Sequence, residues 1–450
     1  MLTDFLEQVR TAGVVGCGGA GFPTHVKLAA RGVDTLIING AECEPLLRTD
    51  RWLMRNQAAG IVQAVEAARA QLNAQRAVVA LKADYSEEIA ALKSAIANAN
   101  AQIELHLLES FYPAGDEQVM VYEATGRVVP PAGIPLDVQC VVSNAATMYA
   151  VWQAMQGRPF TQKYLTITGA VREPCVIKAP LGTNFADCLA LAGGTDLEDY
   201  IIVSGGPMMG KLLPDGDIFV EKTTSGFLVL PKTTRYYQNE AASLRHILGR
   251  ARSACIQCSF CTQLCPRWLL GHPLESHKIM RRAAGSLPLE EQLDDPVLRS
   301  AQYCCECGVC ELVACPMQLA PRRINAQLKQ AYVAQNLRPF KGEAGLEPRE
   351  FREERKLPTG KAALRAGVYP WYHRSITRFA EVRPSEVHIA LNSHIGAPAL
   401  PCVKPGDHVE LGQCIAKAPA DALGVPYHAS IAGVVECVNG AVTIRGMEAL

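Results

Sequence analysis

The sequence predicts a multidomain α/β protein with a helical, cysteine-rich segment and an all-β C-terminal end. Three observations carry that prediction. At 450 residues the chain is too long for one hydrophobic core, so three or four domains are expected. Up to residue 160, apolar strand-like runs alternate with helix-like stretches, which argues for a mostly parallel sheet covered on both faces. Nine of the seventeen cysteines then crowd between Cys255 and Cys315.

The elements follow in order. Leu2, Phe5, Leu6 and Val9 fall at helical spacing and predict a short amphipathic helix, a stripe that is more often core than docking surface. A glycine-rich loop comes next, at Gly16–Gly21. Strands are expected at Asp34–Ile38, Ala77–Leu81, Ile103–Leu108 and Val138–Val142, with helices at 51–72, 85–98, 116–124 and 146–156. Together they make a first domain over 1–160. From Lys163 the texture changes to short β-rich runs, Tyr164–Val171 and on to Ile177, with a helix-like ADCLALA before Gly193-Gly194; this predicts a small α+β domain over 161–235. The cysteine region occupies 240–335. A charged, proline-containing stretch predicts a linker over 336–384. The units Val403–Gln413 and Ile431–Val435 are turn-and-strand and make 385–450 all-β.

Composition narrows the function classes. Lys+Arg 44 balances Asp+Glu 44, so the chain lacks the basic excess that nucleic-acid binding needs. There is no run of about eighteen apolar residues, so no membrane span is expected. The N-terminal MLTDFLEQVR has no basic and apolar leader pattern. Many thiols without an export signal place the chain in the cytoplasm, where clustered cysteines are metal ligands more often than disulfides.

The cysteines form two runs. Cys255, Cys258, Cys261 and Cys265 read C-x2-C-x2-C-x3-C before Pro266, and Cys304, Cys307, Cys310 and Cys315 read C-x2-C-x2-C-x4-C before Pro316. Tandem runs of this kind are the ligand pattern of a bacterial two-cluster ferredoxin, in which the fourth cysteine serves the other cluster. We therefore assign one 4Fe–4S cluster to Cys255, Cys258, Cys261 and Cys315, and the other to Cys304, Cys307, Cys310 and Cys265. Zinc sites or free thiols are the plainer alternative, but zinc sites present ligand pairs, not three in one tight loop. The x4 spacing demands a one-residue bulge. Cys305 competes with Cys304 for the first position, and Cys304 keeps the x2 spacing. The other eight cysteines read as small buried hydrophobes.

Gly16-Cys-Gly18-Gly19-Ala-Gly21 matches G-x-G-x-x-G, yet a short helix, not a strand, precedes it, which weakens an ordinary dinucleotide fingerprint. The glycines still offer close backbone approach and amide donors for a phosphate. The loop continues Phe-Pro-Thr24-x-x-Lys27 and is followed by Asn39-Gly-Ala-Glu42-Cys-Glu44-Pro45, Asp50-Arg51, Tyr112-Pro-Ala-Gly115-Asp116-Glu117 and Ser143-Asn144-Ala-Ala-Thr147. This series resembles the NADH-binding flavoprotein of respiratory complex I and, more closely, the C subunit of Rnf electron-transport complexes.

The resemblance implies a Rossmann-like domain that binds FMN, with NADH as electron donor stacking on its ring. Carried over by position, Gly16, Gly18 and Lys27 contact the flavin or its phosphate, with Gly19 and Gly21 in the same loop. Asn39, Asn144 and Thr147 hold the ring and ribityl chain, and Glu44, Gly115 and Asp116 complete the cofactor site. Glu42 and Glu117 line the nicotinamide side as candidate catalytic residues. Cys17 stands where the complex I pattern has arginine, and Ala41 where it has an acid. Taken without the resemblance, Asp116 and Glu117 are a pair of helix N-terminal acids.

The flanking segments resemble the same family. Tyr164–Gly194 is similar to the soluble-ligand-binding β-grasp (SLBB) domain, and GDHVELGQ with HASIAGVV is similar to a barrel-sandwich hybrid domain. Lys417 lacks the Met-Lys hairpin context of a lipoyl or biotinyl carrier. A C-terminal barrel, together with CELVACP, resembles the cobalamin reductases of propanediol-utilisation microcompartments. That resemblance implies an NADH-dependent oxidoreductase reducing cob(III)alamin towards cob(I)alamin in a bacterial microcompartment, with cobalamin as substrate and a shell protein or a ferredoxin as partner. An Rnf-like NADH:ferredoxin module and a non-catalytic, shell-docked scaffold are the alternatives. No histidine has an aspartate two residues before it, and His394 reads as a turn residue and not a cobalt ligand.

Overall fold

The computed structural model describes residues 2–214, 216–285, 288 and 291–446. Its N-terminal domain runs α1 (Leu2–Thr11), α2 (Thr24–Leu28), β1 (Thr35–Asn39), α3 (Thr49–Asn56), α4 (Ala58–Leu72), β2 (Arg76–Lys82), α5 (Ser86–Ala99), β3 (Ile103–Leu108), β4 (Phe111–Tyr112), α6 (Glu117–Thr125), β5 (Cys140–Asn144) and α7 (Ala145–Met155). Four strands pair in parallel in the order β3-β2-β1-β5. Leu36, Ile37 and Ile38 are buried one after another, because helices cover both faces of such a sheet. The register sets Asn39 beside Asn144 at the carboxyl ends of β1 and β5, where open α/β sheets bind ligands. The helix expected over 51–72 is two helices that break at Gln57. Phe5 and Val9 of α1 are buried in the core and Leu6 packs against it, so this stripe is internal; the side chain of Leu2 lies outside the described residues.

The second domain carries β6 (Gln162–Gly169), β7 (Cys175–Pro180), α8 (Phe185–Leu191), β8 (Tyr200–Ser204), β9 (Lys211–Leu212) and β10 (Gly226–Pro231). Its six-stranded mixed sheet gains an edge from far downstream, where Arg378–Glu381 pairs in parallel with β7. The stretch 336–384, expected as a linker, is therefore partly a strap. Leu357–Pro358 pairs with β4, the helix Thr359–Ala366 buries Ala362, Ala363 and Ala366, and Arg378–Glu381 completes the second sheet. Charge and proline made it look like a connector, whereas its short apolar segments find partners only in the fold.

The cysteine region is helical, with its core built on Ile279, Leu298, Ile324, Leu328 and Tyr332. The C-terminal domain folds as two antiparallel sheets of four and three strands. It shares its core with the N-terminal domain: Ile389, Ile415, Tyr427 and Ile444 join the same apolar cluster as Leu36 and Val151. It also reaches the glycine loop, since the Ile395 amide donates to the Gly21 carbonyl at 2.9 Å.

Candidate functional site

The two cysteine runs fold into matching loops. Cys255, Cys258 and Cys261 lie 49 residues before Cys304, Cys307 and Cys310, and the backbone repeats at the same offset. Gln257 and Ser259 have φ of 55° and 61°, and Glu306 and Gly308 have 59° and 76°. Each loop thus makes the same two left-handed turns, and glycine is used at one position in four. The runs part at their ends: Val309–Ala314 winds as a π-helix, whereas Phe260–Gln263 is α-helical. A π-turn absorbs one residue, which is the bulge that the x4 spacing demands. Glu311 on that turn is wholly buried and is neutralised by Arg322 at 2.9 Å, which also pairs with Glu240.

The fourth cysteines cross over. Cys255, Cys258, Cys261 and Cys315 line one small apolar cavity. Burial and then the neighbouring Cys305 and Cys304 push the Cys265 thiol well above its ordinary value, so Cys265 belongs with the second loop. Polar hydrogens point at several sulfurs: Gln257 Nε2 donates to Cys255 Sγ at 3.0 Å, the Glu306 amide to Cys304 Sγ at 3.3 Å and the Leu319 amide to Cys315 Sγ at 3.3 Å. Cys255 and Cys304 each accept a hydrogen bond from the residue two positions on. A hydrogen bond with Cys307 draws the Cys305 thiol below its ordinary value. Eight cysteines in two crossed sets, with N–H groups on their sulfurs, fit two iron–sulfur clusters.

At the sheet end, Val15 and Pro23 bridge and hold the glycine loop, with the Gly16 amide bonded to the Phe22 carbonyl at 2.9 Å. The Cys17 amide donates to Thr147 Oγ1 at 2.9 Å, which ties the loop to α7. Gly18 lies over Asn144, and Gly19 (φ +107°) has open space where a side chain would point. The amides of Gly18, Gly19, Ala20 and Gly21 donate to no acceptor among the described residues. Such a run of free N–H groups is an anion cradle. Lys27 Nζ stands between the Val142 carbonyl at 2.9 Å and Glu117 at 3.2 Å. Asn39 spans the gap between strands, donating to the Gly115 carbonyl and accepting from the Ala41 amide. Free amides, a lysine and strand-end amides suit a flavin phosphate and ring.

The acids divide in their tasks. The Glu42 carboxylate takes the Asp50 and Arg51 amides at 2.8 and 3.1 Å, at the start of α3. Desolvation and the nearby Asp50 push its carboxyl up, and Asp50 is in turn held by Asn144 Nδ2 at 2.7 Å. Glu117 pairs with Lys27 and stays 43% exposed. Glu44, expected at the cofactor, spends its oxygens on the Met208 and Met209 amides and on Tyr112 Oη, and desolvation lifts its carboxyl to about 7. It joins the first two domains. Asp116 caps α6 through the Gln118 and Val119 amides, as the plain helix reading has it, and also pairs with Arg267 at 2.8 Å.

Tyr112, Arg267 and Lys222 received no role from sequence reasoning. Tyr112 Oη donates to the Cys307 carbonyl at 2.8 Å, and Arg267, bonded to Asp116, and His272, whose Nε2 lies 2.8 Å from the Val129 carbonyl, also join the cysteine region to the N-terminal domain. Arg267 follows Cys265-Pro266, and nothing in its neighbours marks it. His394 is held by Tyr427 Oη at 2.8 Å, in keeping with a turn role.

Known proteins resemble the chain domain by domain. Family models match residues 9–153 as a Nuo51 FMN-binding domain, 164–212 as an SLBB domain, 254–320 as a 4Fe–4S dicluster domain and 362–449 as an RnfC barrel-sandwich hybrid domain. Cobalamin reductase PduS of Citrobacter freundii is 42% identical over 98% of this chain and 96% of its own length. A component of the Na+-translocating ferredoxin:NAD+ oxidoreductase complex of Acetobacterium woodii is 37% identical over 58% of this chain and 57% of its own. A crystal structure of an NAD+-reducing NiFe hydrogenase in the H2-reduced state shares the fold, with TM-score 0.50 and 21% identity over 76% of this chain and 64% of that one. Four matched domains in one order and near full-length identity place the chain in the PduS cobalamin reductase family.

Proposed function

We propose that the chain is an NADH-dependent oxidoreductase that delivers single electrons to cob(III)alamin. The overall change balances as one NADH and two cob(III)alamin giving NAD+, one proton and two cob(II)alamin. The observation that carries this reading is the direct bonding of the cysteine region to the N-terminal domain, Tyr112 to Cys307 of the second loop and Asp116 to Arg267 just after Cys265. When bound, FMN supplies conversion of a hydride into single electrons, and two 4Fe–4S clusters supply one-electron conduction.

The residues divide the work. The Gly16–Gly21 loop, Lys27, Thr147 and the Asn39–Asn144 pair hold the flavin, with Gly115 beneath. Glu117 faces the nicotinamide beside Lys27, and Glu42 orients the start of α3 through the Asp50 and Arg51 amides. Cys255, Cys258, Cys261 and Cys315 hold one cluster, and Cys304, Cys307, Cys310 and Cys265 the other. Exposed Ile256 and Phe260 beside Cys258 favour a second reading, in which the acceptor is a ferredoxin or a cluster-bearing shell protein of a microcompartment. Cluster-replete protein, kept anaerobic, separates the two. NADH oxidation with hydroxocobalamin supports cobalamin reduction; oxidation only with ferredoxin sinks it. Copurification with isolated microcompartments tests the location.

A further inference from the structure

Three domains meet around a cavity of about 320 Å3 on the α7 side of the glycine loop. Its walls include Tyr149 of α7, Phe160 just before β6, Lys163 and Tyr164 of β6, Lys178 of β7 and Leu411 of the C-terminal domain, with exposed Arg158 at its rim. No carboxylate lines it. Clefts of 300–1,000 Å3 at domain junctions, mostly apolar with a few placed polar groups, are the usual form of small-molecule sites.

The charge here is unbalanced. Lys163 is 3% exposed and forms no ion pair with any described carboxylate; its Nζ lies 5.9 Å from the Phe160 ring centre. Asp50 feels its charge, but that carboxyl is bonded to Asn144 and burial pushes its pKa up. Lys222, wholly buried, approaches the same ring at 5.7 Å. It is satisfied by the Gly13 and Pro426 carbonyls at 2.7 and 2.9 Å and by the Tyr427 face at 4.0 Å, again without an acid. Lys178 has Glu381 at 3.4 Å. A lysine held in a cavity wall without an ion-pair partner leaves its ammonium free to receive an anion. Tyr149, Phe160 and Tyr164 stand in the same wall; Tyr164 is stacked against Trp52 and meets Tyr149 edge-on, each with ring centres 5.3 Å apart, and Tyr149 Oη is bonded to Gln153 Nε2 at 2.9 Å.

We propose that this cavity binds a nucleotide, a phosphate ester of a planar heterocycle, with its phosphate on Lys163 and Arg158 and its ring among Phe160, Tyr149 and Tyr164. The chemistry is shared by a free adenine nucleotide and by the nucleotide tail of a corrinoid. Occupancy would tie the N-terminal, β-grasp and C-terminal domains together. Equilibrium dialysis of the full-length, cofactor-replete protein against AMP, α-ribazole 5′-phosphate and inorganic phosphate tests it. One of the two nucleotides should bind once per chain, and which one binds tighter names the source. Lys163→Met and the surface variant Arg158→Ala should each weaken that binding by about tenfold or more. Lys163→Met should also keep the ligand-free melting temperature, because it breaks no ion pair. No nucleotide binding, binding that both variants leave intact, or phosphate alone binding as tightly would overturn the proposal.

Discussion

In the first cysteine loop Ile256 and Phe260 stand 61% and 48% exposed, whereas in the second Cys307 is buried beneath Tyr112 and Gly308 packs on the Met208 carbonyl. The two loops share their turns and cysteine spacing, so local sequence does not make the difference. It comes from which loop the N-terminal domain grips. Glu44, Tyr112 and Asp116 all converge on the second loop or its neighbours. The helices beside the first loop, Leu244–Ala254 and Ser276–Ala283, instead carry the cationic Arg252, Lys278, Arg281 and Arg282. One loop is held against the N-terminal domain and its twin stands open to solvent.

The strongest break comes from removing one ligand on each side. Cys307→Ser should halve iron and acid-labile sulfide, keep the flavin, and lower NADH-driven cobalamin reduction by about a hundredfold. After NADH its low-temperature EPR spectrum should show no reduced cluster, while dithionite restores one. Cys258→Ser should also halve the iron, yet NADH should still produce one cluster signal. Identical behaviour of the two variants would erase the inner–outer distinction.

Next in size is Arg267→Met, which strands the carboxylate of Asp116 and should cost about 3 kcal/mol in urea unfolding. Glu44 gives a pH signature on the same side. Its folded carboxyl sits at about 7 against an ordinary 4.5, so the fold holds a proton that the unfolded chain has released. The stability it contributes is complete below 4.5 and is lost as pH rises through about 7. Glu44→Gln should flatten that decline in a melting-temperature series. Tyr112→Phe removes the hydroxyl bonds to Cys307 and Glu44 and should cost about 1 kcal/mol. Phe260→Ser, on the outer loop, should change stability by less than about 0.5 kcal/mol while raising KM for the acceptor. A large stability loss there would mean the outer loop is not free.

Much of the site was legible beforehand because its signals are local. Cysteine spacing reports loop geometry, and the extra residue before Cys315 foretold the π-turn. Strand–helix alternation placed all four parallel strands to within two residues, since period and burial act over a few neighbours. The hydrogen-bond partners of Glu44 were not legible, because its motif marks a place in the chain while Met208 and Met209 lie more than a domain away. The strap at 357–381 was unreadable for a similar reason: two-residue strands carry no periodicity.

The amino-acid order alone determined which side chains can bind iron, which backbone can approach a phosphate, and that domains of four kinds lie in this succession. The tertiary structure decided which cysteine loop turns inward, that Arg267 meets Asp116 across 151 residues, and that Lys163 is buried without an ion-pair partner. The first set rests on short-range chain geometry. The second rests on packing between segments whose contacts leave no repeating trace in composition or spacing.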